Sequence, residues 1–204
     1  MLSYNESLKI LKETEALLEG HFILSSGLHS KEYIQCAKLL SHPSQSQSIC
    51  CSLCESIKKK FKKIDIILSP AMGGVVVGYE VGRQLNIQTI FCERVNGNFI
   101  LRRGFNIKKN ANVLVVEDVI TTGKSALECS DLVLENKANL LGFACIIDRT
   151  DKNVKFRDRM VSQIKFNIET FTADNLPDEL KKIKPIKPGS RNLSKWWEKN
   201  LVLT

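Results

Sequence analysis

Val113-Leu114-Val115-Val116-Glu117-Asp118-Val119-Ile120-Thr121-Thr122-Gly123-Lys124-Ser125 is the stretch on which the fold turns. Four aliphatic residues in a row, three of them β-branched, suit a strand buried on both faces, as in a parallel sheet. Two acids and a small-residue turn follow, and from Lys124 to about residue 136 the spacing reads as a helix. A strand feeding a helix through a short turn is the unit of an open α/β sheet, whose ligands collect at the carboxyl ends of its strands. The backbone N–H groups of residues 122 to 125, with the hydroxyls of Thr121, Thr122 and Ser125, can surround a phosphomonoester at the helix start.

Working outward, Ile64 to Leu68, Thr89 to Cys92 and Leu140 to Ile147 are further apolar, β-branched runs. Helical stretches at about 74 to 85 and 124 to 136 alternate with them. The alternation predicts an α/β fold with a parallel, doubly wound sheet over a core of about residues 64 to 150. Segment 93 to 112 interrupts it as a polar, basic loop, with a turn signal at Asn96-Gly97-Asn98. Upstream, Ser3 and Glu6 form a capping box for a helix whose stripe of Leu8, Leu11, Leu17 and Leu18 ends at Gly20. Phe22 to Leu24 and Tyr33 to Cys36 read as short extended segments about the turn Ser25-Ser26-Gly27, and Pro43 opens a helix toward Phe61. Past Arg149 the pattern is less regular, and Pro185, Pro188 and Gly189 precede a short segment with Trp196 and Trp197. With no internal repeat or second domain in view, residues 1 to 204 are expected to form one domain. Its hood would come from about residues 20 to 40 and parts of the C-terminal segment.

Composition sets the outer limits. A chain of 204 residues with 43% hydrophobic and 25% charged residues is long enough for a sizeable core and excludes disordered, collagen-like and low-complexity classes. The net charge is +8, and residues 149 to 204 carry thirteen Lys or Arg against seven acids. The runs Lys58-Lys59-Lys60, Lys62-Lys63 and Lys181-Lys182, Lys184, Lys187 lack interleaved aromatics, so they read as solvated faces and no nucleic-acid partner is called for. Seven cysteines, an odd number, fit a reducing compartment better than a disulfide framework. Cys51 and Cys54 have no second Cys or His pair nearby and read as buried or half-buried thiols rather than a zinc site. No apolar run approaches the ~18 residues of a membrane span and no leader is apparent, so the cytoplasm is expected.

The acids discriminate between phosphate-binding chemistries. Gly123-Lys124-Ser125 matches the end of a nucleotide-triphosphate loop, but Asp118 stands where that loop needs its first glycine, and a carboxylate there would repel a polyphosphate. A single ligand satisfies both halves of the stretch if its phosphate sits on the turn while its sugar hydroxyls donate to Glu117 and Asp118. That ligand is a ribose 5-phosphate.

Val115 to Ser125 resembles the phosphoribosyl diphosphate motif of the type I phosphoribosyltransferases. Four further stretches resemble their orotate branch: Gly20 to Gly27, Ser69-Pro70-Ala71-Met72-Gly73-Gly74, Glu93-Arg94 with Leu101-Arg102-Arg103-Gly104-Phe105, and Asp148-Arg149. The likeness runs in order over nearly the whole chain. It implies the type I fold with a small hood, a homodimer with a shared active site, and no membrane or nucleic acid. The implied reaction is that of orotate with 5-phosphoribosyl 1-diphosphate, giving orotidine 5'-monophosphate and diphosphate with Mg2+, a step in making UMP. The sequence leaves two alternatives open, a purine phosphoribosyltransferase and a non-catalytic regulator that binds the phosphoribosyl ligand.

Roles follow from the same resemblance. Glu117 and Asp118 would hold the ribose hydroxyls and favour an oxocarbenium-like ring, with Val119, Ile120, Thr121, Thr122, Gly123, Lys124 and Ser125 forming the phosphate loop. Ala71, Met72, Gly73 and Gly74 would bind diphosphate, joined by Arg94, Arg102 and Arg103 from the mobile loop, with Arg94 counted as catalytic. Arg149 would pair with the orotate carboxylate, helped by Thr121 and bordered by Tyr33. Mg2+ is expected mainly through substrate and water, with no protein residue assigned to it. The chain departs from the best-known bacterial pattern, which has Arg-Lys and then a Lys and a His in the loop. Here Arg94-Val95 is followed by no His through Asn112, and Ser25 stands in the hood where that pattern has Lys.

Overall fold

The computed structural model describes residues 1–24, 26–150 and 156–188. The chain divides into two compact units, one of residues 1–16 and 35–167, the other of 17–34 and the segment from 168 onward.

In the first unit, helix α1 (Tyr4–Glu13) opens on the expected capping box. It stops well short of Gly20. Ala16 N–H donates to the Leu11 carbonyl and Glu15 N–H to that of Lys12, a Schellman closure in which Glu15 takes the left-handed φ of 53° usually given to glycine. With Glu in that place the sequence carries no stop signal, and Leu17 and Leu18, read as helical, belong instead to a strand. The unit continues with α2 (Cys36–Leu40), where an extended segment was expected to reach Cys36, and α3 (Pro43–Lys60), with Pro43 in its first turn and three lysines in its last.

Five strands then run parallel: β3 (Ile66–Pro70), β4 (Gln88–Val95), β6 (Asn112–Ile120), β7 (Asn139–Asp148) and β8 (Met160–Lys165). With β5 (Asn98–Leu101) antiparallel on β4, the order is β5-β4-β3-β6-β7-β8. Helices α4 (Gly73–Leu85) and α5 (Lys124–Glu135) cross over between strands. The sheet is thus largely parallel and covered on both faces. Ile66, Leu68, Val113, Val115, Phe143 and Cys145 pack with Ala126, Cys129, Leu132 and Val133 of α5 in one buried cluster. Strand alternation turns Ile67, Leu114, Val116, Ala144 and Ile146 to the other face, where α3 and α4 pack.

Two departures from the sequence reading concern this sheet. Segment 93–112 is not all loop, because β4 extends to Val95 and turns back at Asn96-Gly97 (φ 49° and 88°) into β5. Strand β8 had no clear signature, its hydrophobic residues being interrupted by Ser162 and Gln163 on a sheet edge. Of the Cys51–Cys54 pair, only Cys54 is buried; Cys51 is exposed, since the two lie on different faces of α3.

The second unit is a three-stranded antiparallel sheet in the order β1-β2-β9, built from β1 (Leu17–Ile23), β2 (His29–Ile34) and β9 (Thr170–Phe171). A short helix, α6 (Asp178–Lys181), places buried Leu180, and Ile186 pairs with Phe22. His21 is buried, with its Nδ1 2.8 Å from the Ile183 carbonyl and its Nε2 2.6 Å from His29 Nδ1. Ser25, Gly189, Trp196 and Trp197 lie outside the described residues. No helix among the described residues is long and apolar enough to cross a membrane.

Candidate active site

Register sets Ala71 to Gly74, Glu117 to Ser125 and Arg149 at the carboxyl ends of the neighbouring parallel strands β3, β6 and β7. Glu117, Asp118, Val119 and Ile120 close β6, Thr121 and Thr122 form an exposed bend, and Gly123 caps α5, which opens with Lys124 and Ser125. Neither α4 nor α5 has a side-chain cap at its N-terminus. The Lys124 N–H donates to Thr122 Oγ1 at 3.4 Å, and no side chain of either cap position claims a first-turn donor that an incoming anion could meet.

Gly123 adopts a φ of +75°, and a Cβ there would stand 2.5 Å from the Phe156 ring. Phe156 is buried, with its ring centroid 4.3 Å from that of Phe143, and it floors the turn. Nothing in the sequence pointed to Phe156, because it reaches the turn from 33 positions downstream.

Ala71, Met72, Gly73 and Gly74 make the junction from β3 into α4, on the strand next to β6. The two junctions meet. A Cβ on Gly73 would lie 2.9 Å from Oδ2 and 3.0 Å from Oδ1 of Asp118, and one on Gly74 3.3 Å from the Val116 carbonyl. The glycines thus leave the space that the Asp118 carboxylate occupies.

Burial dominates the electrostatics of the acidic pair. It pushes the Glu117 carboxyl up to about 8, with the neighbouring Asp118 charge adding to the effect. Asp118 is raised too, by burial, against the opposing hydrogen bonds of the Val119 and Asp118 N–H groups. Two buried carboxyls, both raised above the ordinary carboxylate range, are suited to a ligand that brings hydroxyl donors or positive charge.

Thr121 and Arg149 each follow one member of the paired register residues Ile120 and Asp148, and Arg149 N–H donates to the Ile120 carbonyl at 2.8 Å. These two predicted base contacts are therefore neighbours. Tyr33 lies on β2 in the second unit, half-buried, its ring 5.7 Å from that of Phe22.

The basic residues are held differently. Arg94, on β4, pairs with Glu128 of α5, donates to the Gly97 carbonyl, and lies 4.0 Å over the Phe99 ring. Glu128 is also 3.9 Å from Lys124, so one carboxylate stands between Arg94 and the phosphate turn. In the sequence Glu128 is marked only by its spacing of four from Lys124. Arg103 pairs with Glu93 at 2.9 Å and lies 5.8 Å from the Phe91 ring centroid; its hydrogen bond keeps Glu93 below the usual carboxylate range. Arg102 is exposed on the turn after β5.

A parallel sheet whose strand ends carry an acid pair, a hydroxyl-rich phosphate turn and a second glycine turn against the acids defines a phosphoribosyltransferase of the α/β class. Residues 39–175 match the family model described as the phosphoribosyl transferase domain. The chain is 42% identical over 193 residues to orotate phosphoribosyltransferase of Bartonella henselae, covering 94% of this chain and all of that protein. It is 45% identical over 186 residues to that of Caldicellulosiruptor saccharolyticus, covering 91% and 96%. The chain belongs to the orotate phosphoribosyltransferase family. In fold it is similar to the crystal structure of orotate phosphoribosyltransferase from Aeropyrum pernix, with a TM-score of 0.69 at 24% identity over 78% of this chain and 92% of that one.

Proposed function

We infer that the chain is an enzyme that transfers ribose 5-phosphate from 5-phosphoribosyl 1-diphosphate to orotate, giving orotidine 5'-monophosphate and diphosphate on the way to UMP. The observation that carries the reading is the contact of Asp118 with Gly73, in a chain similar over nearly its full length to orotate phosphoribosyltransferases. It supports a reading in which carboxylates for a sugar lie between one turn for its phosphate and another for its leaving group.

The chemistry asks for opposite charges to be stabilised a few ångströms apart. As the bond from C1 to the diphosphate oxygen breaks, the ring gains positive charge and the leaving group negative charge. Ribose hydroxyls donate to Glu117 and Asp118 and draw Glu117 into its charged form, so its proton leaves as the sugar binds. The carboxylates then favour the oxocarbenium-like ring. The turn from Thr121 to Ser125 holds the 5-phosphate, and Ala71 to Gly74 receive the diphosphate.

Arg94, released from Glu128, and Arg102 or Arg103 meet the leaving group. Arg149 pairs with the orotate carboxylate, while Thr121 contacts the base. Among the described residues no three metal-ligating side chains come together. The two carboxyls fit Mg2+ held through ribose hydroxyls and water, an ion that prefers hard oxygen ligands and keeps its waters; when bound it neutralises charge on the diphosphate.

We place the two units in a single phosphoribosyltransferase domain, the second unit supplying the hood. The protein works as a homodimer with a shared site, a state for which Met72, Val76 and Tyr79, exposed along α4, offer an apolar stripe. Seven free cysteines suit the cytoplasm. Neither a nucleic acid nor a membrane has a part in this reading.

One assay tests it. Protein, Mg2+ and phosphoribosyl diphosphate are mixed with orotate, adenine, hypoxanthine or no base, following loss of orotate absorbance and release of diphosphate. Turnover with orotate alone is expected. Diphosphate release only with a purine, or equally with no base, would overturn the assignment.

A further inference from the structure

Asp148 and Thr150 flank Arg149, and both are buried to 3% exposure, although the chain here leaves the sheet at an edge of the proposed site. One carboxylate oxygen of Asp148 accepts from the Thr150 N–H at 2.7 Å and from the Thr150 hydroxyl at 2.6 Å. The first bond closes an Asx turn, in which a side-chain oxygen replaces the backbone carbonyl and the middle residue stands at the apex. That residue is Arg149.

The backbone on either side is fastened as well. Arg149 N–H donates to the Ile120 carbonyl at 2.8 Å, and Phe166 N–H donates to the Asp148 carbonyl at 2.8 Å. The path of residues 148 to 150 is therefore set by β6, by the residue that follows β8, and by the Asp148 side chain. A guanidinium is long and rich in rotamers, and its pairing with a planar carboxylate depends on where its Cα starts.

We propose that the Asp148–Thr150 turn is the positioning element for Arg149, setting the affinity for the planar carboxylate base while leaving the phosphoribosyl diphosphate subsite unaffected. The proposal rests on the reading that Arg149 binds orotate. Asp148 and Thr150 act through Arg149 and touch no substrate. An Asn at 148 would offer the same acceptor oxygen for the turn, whereas an Ala would remove it.

Steady-state KM for each substrate, kcat and the thermal midpoint are measured for Arg149→Ala, Asp148→Ala, Asp148→Asn and Thr150→Val. Displacing a binding group by about 1 Å can cost up to about 100-fold, and we expect KM for orotate to rise at least about 10-fold in Asp148→Ala. In Thr150→Val, which keeps the side-chain volume and the main-chain bond, a rise of about 3-fold is expected, and Asp148→Asn should recover most of the loss. KM for phosphoribosyl diphosphate should stay within about 2-fold in all four, since none of the substitutions removes the main-chain bond from Arg149 N–H to the Ile120 carbonyl that precedes the phosphate turn.

If Arg149→Ala raises KM for orotate but Asp148→Ala and Thr150→Val do not, the positioning role is wrong and the base site stands. Equal rises for both substrates in Asp148→Ala would likewise sink it, as a general loss of structure. Asn behaving as Ala would replace the turn by a charge effect and overturn the proposal as stated. Should Arg149→Ala leave orotate binding intact, the fault lies with the assignment of Arg149 itself, and the proposal falls with it.

Discussion

The β3–α4 and β6–α5 junctions are the same device, a parallel strand passing through a few residues into a helix that lacks a side-chain cap. They are equipped in opposite ways. The first, Ala71-Met72-Gly73-Gly74, has no hydroxyl or charge and offers only backbone and space. The second brings two acids, two threonines, a lysine and a serine, and rests on the Phe156 ring. The bare turn is bare because the equipped one leans on it: Gly73 leaves room for the Asp118 carboxylate 2.9 Å from where a Cβ would be. On the proposed reading, two anion turns and one acid pair thereby serve a single ligand phosphorylated at both ends.

Adding one methyl group at the bare turn is the sharpest way to break that comparison. Gly73→Ala has an ordinary backbone conformation to occupy but must push the end of the Asp118 side chain aside. A drop in kcat of about 100-fold is expected, with little change in the urea midpoint, because a flexible side-chain terminus can yield without disturbing the core. Near-normal turnover would mean that the two junctions work independently.

The same substitution at the equipped turn should act on stability as well. Gly123→Ala meets the Phe156 ring at 2.5 Å and imposes a φ of +75° on an L-residue. A loss of about 1–3 kcal/mol is expected from urea unfolding, together with a raised KM for phosphoribosyl diphosphate. Phe156→Leu in that background should return part of the stability, whereas no recovery would remove the ring from the account.

A smaller effect separates the turns by pH. The folded protein binds the Glu117 proton more tightly than the unfolded chain does. Its contribution to stability is therefore fully present below pH 4.5 and lost as the pH rises through about 8. The thermal midpoint of the ligand-free protein should fall by a few degrees over that window, and Glu117→Gln should flatten the fall. Binding of phosphoribosyl diphosphate at pH 7 should release up to about one proton, read by calorimetry in buffers of different ionisation enthalpy. No release would place the sugar hydroxyls elsewhere.

Much of this is legible in the amino-acid sequence. Val113 to Val116 reads as a strand because all four side chains are buried in the sheet, and the Thr-Thr-Gly turn reads as a phosphate loop because its chemistry is local. The errors fall where a local signal was missing or belonged to something else. Helix α1 ends at a glutamate in a glycine's conformation, and the Leu17-Leu18 pair that extended its stripe serves a strand. Strand β8 shows little alternation because only one of its edges is paired. Glu128 could have been found from its spacing to Lys124, yet its hold on Arg94 comes from β4 lying near α5.

By itself the sequence determined the alternation of strand and helix, the two candidate anion turns, the acid pair and the family likeness, since each is written in short contiguous runs whose pattern is local. Tertiary structure alone decided that Gly73 meets Asp118, that Phe156 lies beneath Gly123, and that Arg149 N–H meets the Ile120 carbonyl at the end of β6. The physical reason is register. Sheet order and strand pairing bring side chains tens of residues apart within contact distance, and no local periodicity records which strand will be the neighbour.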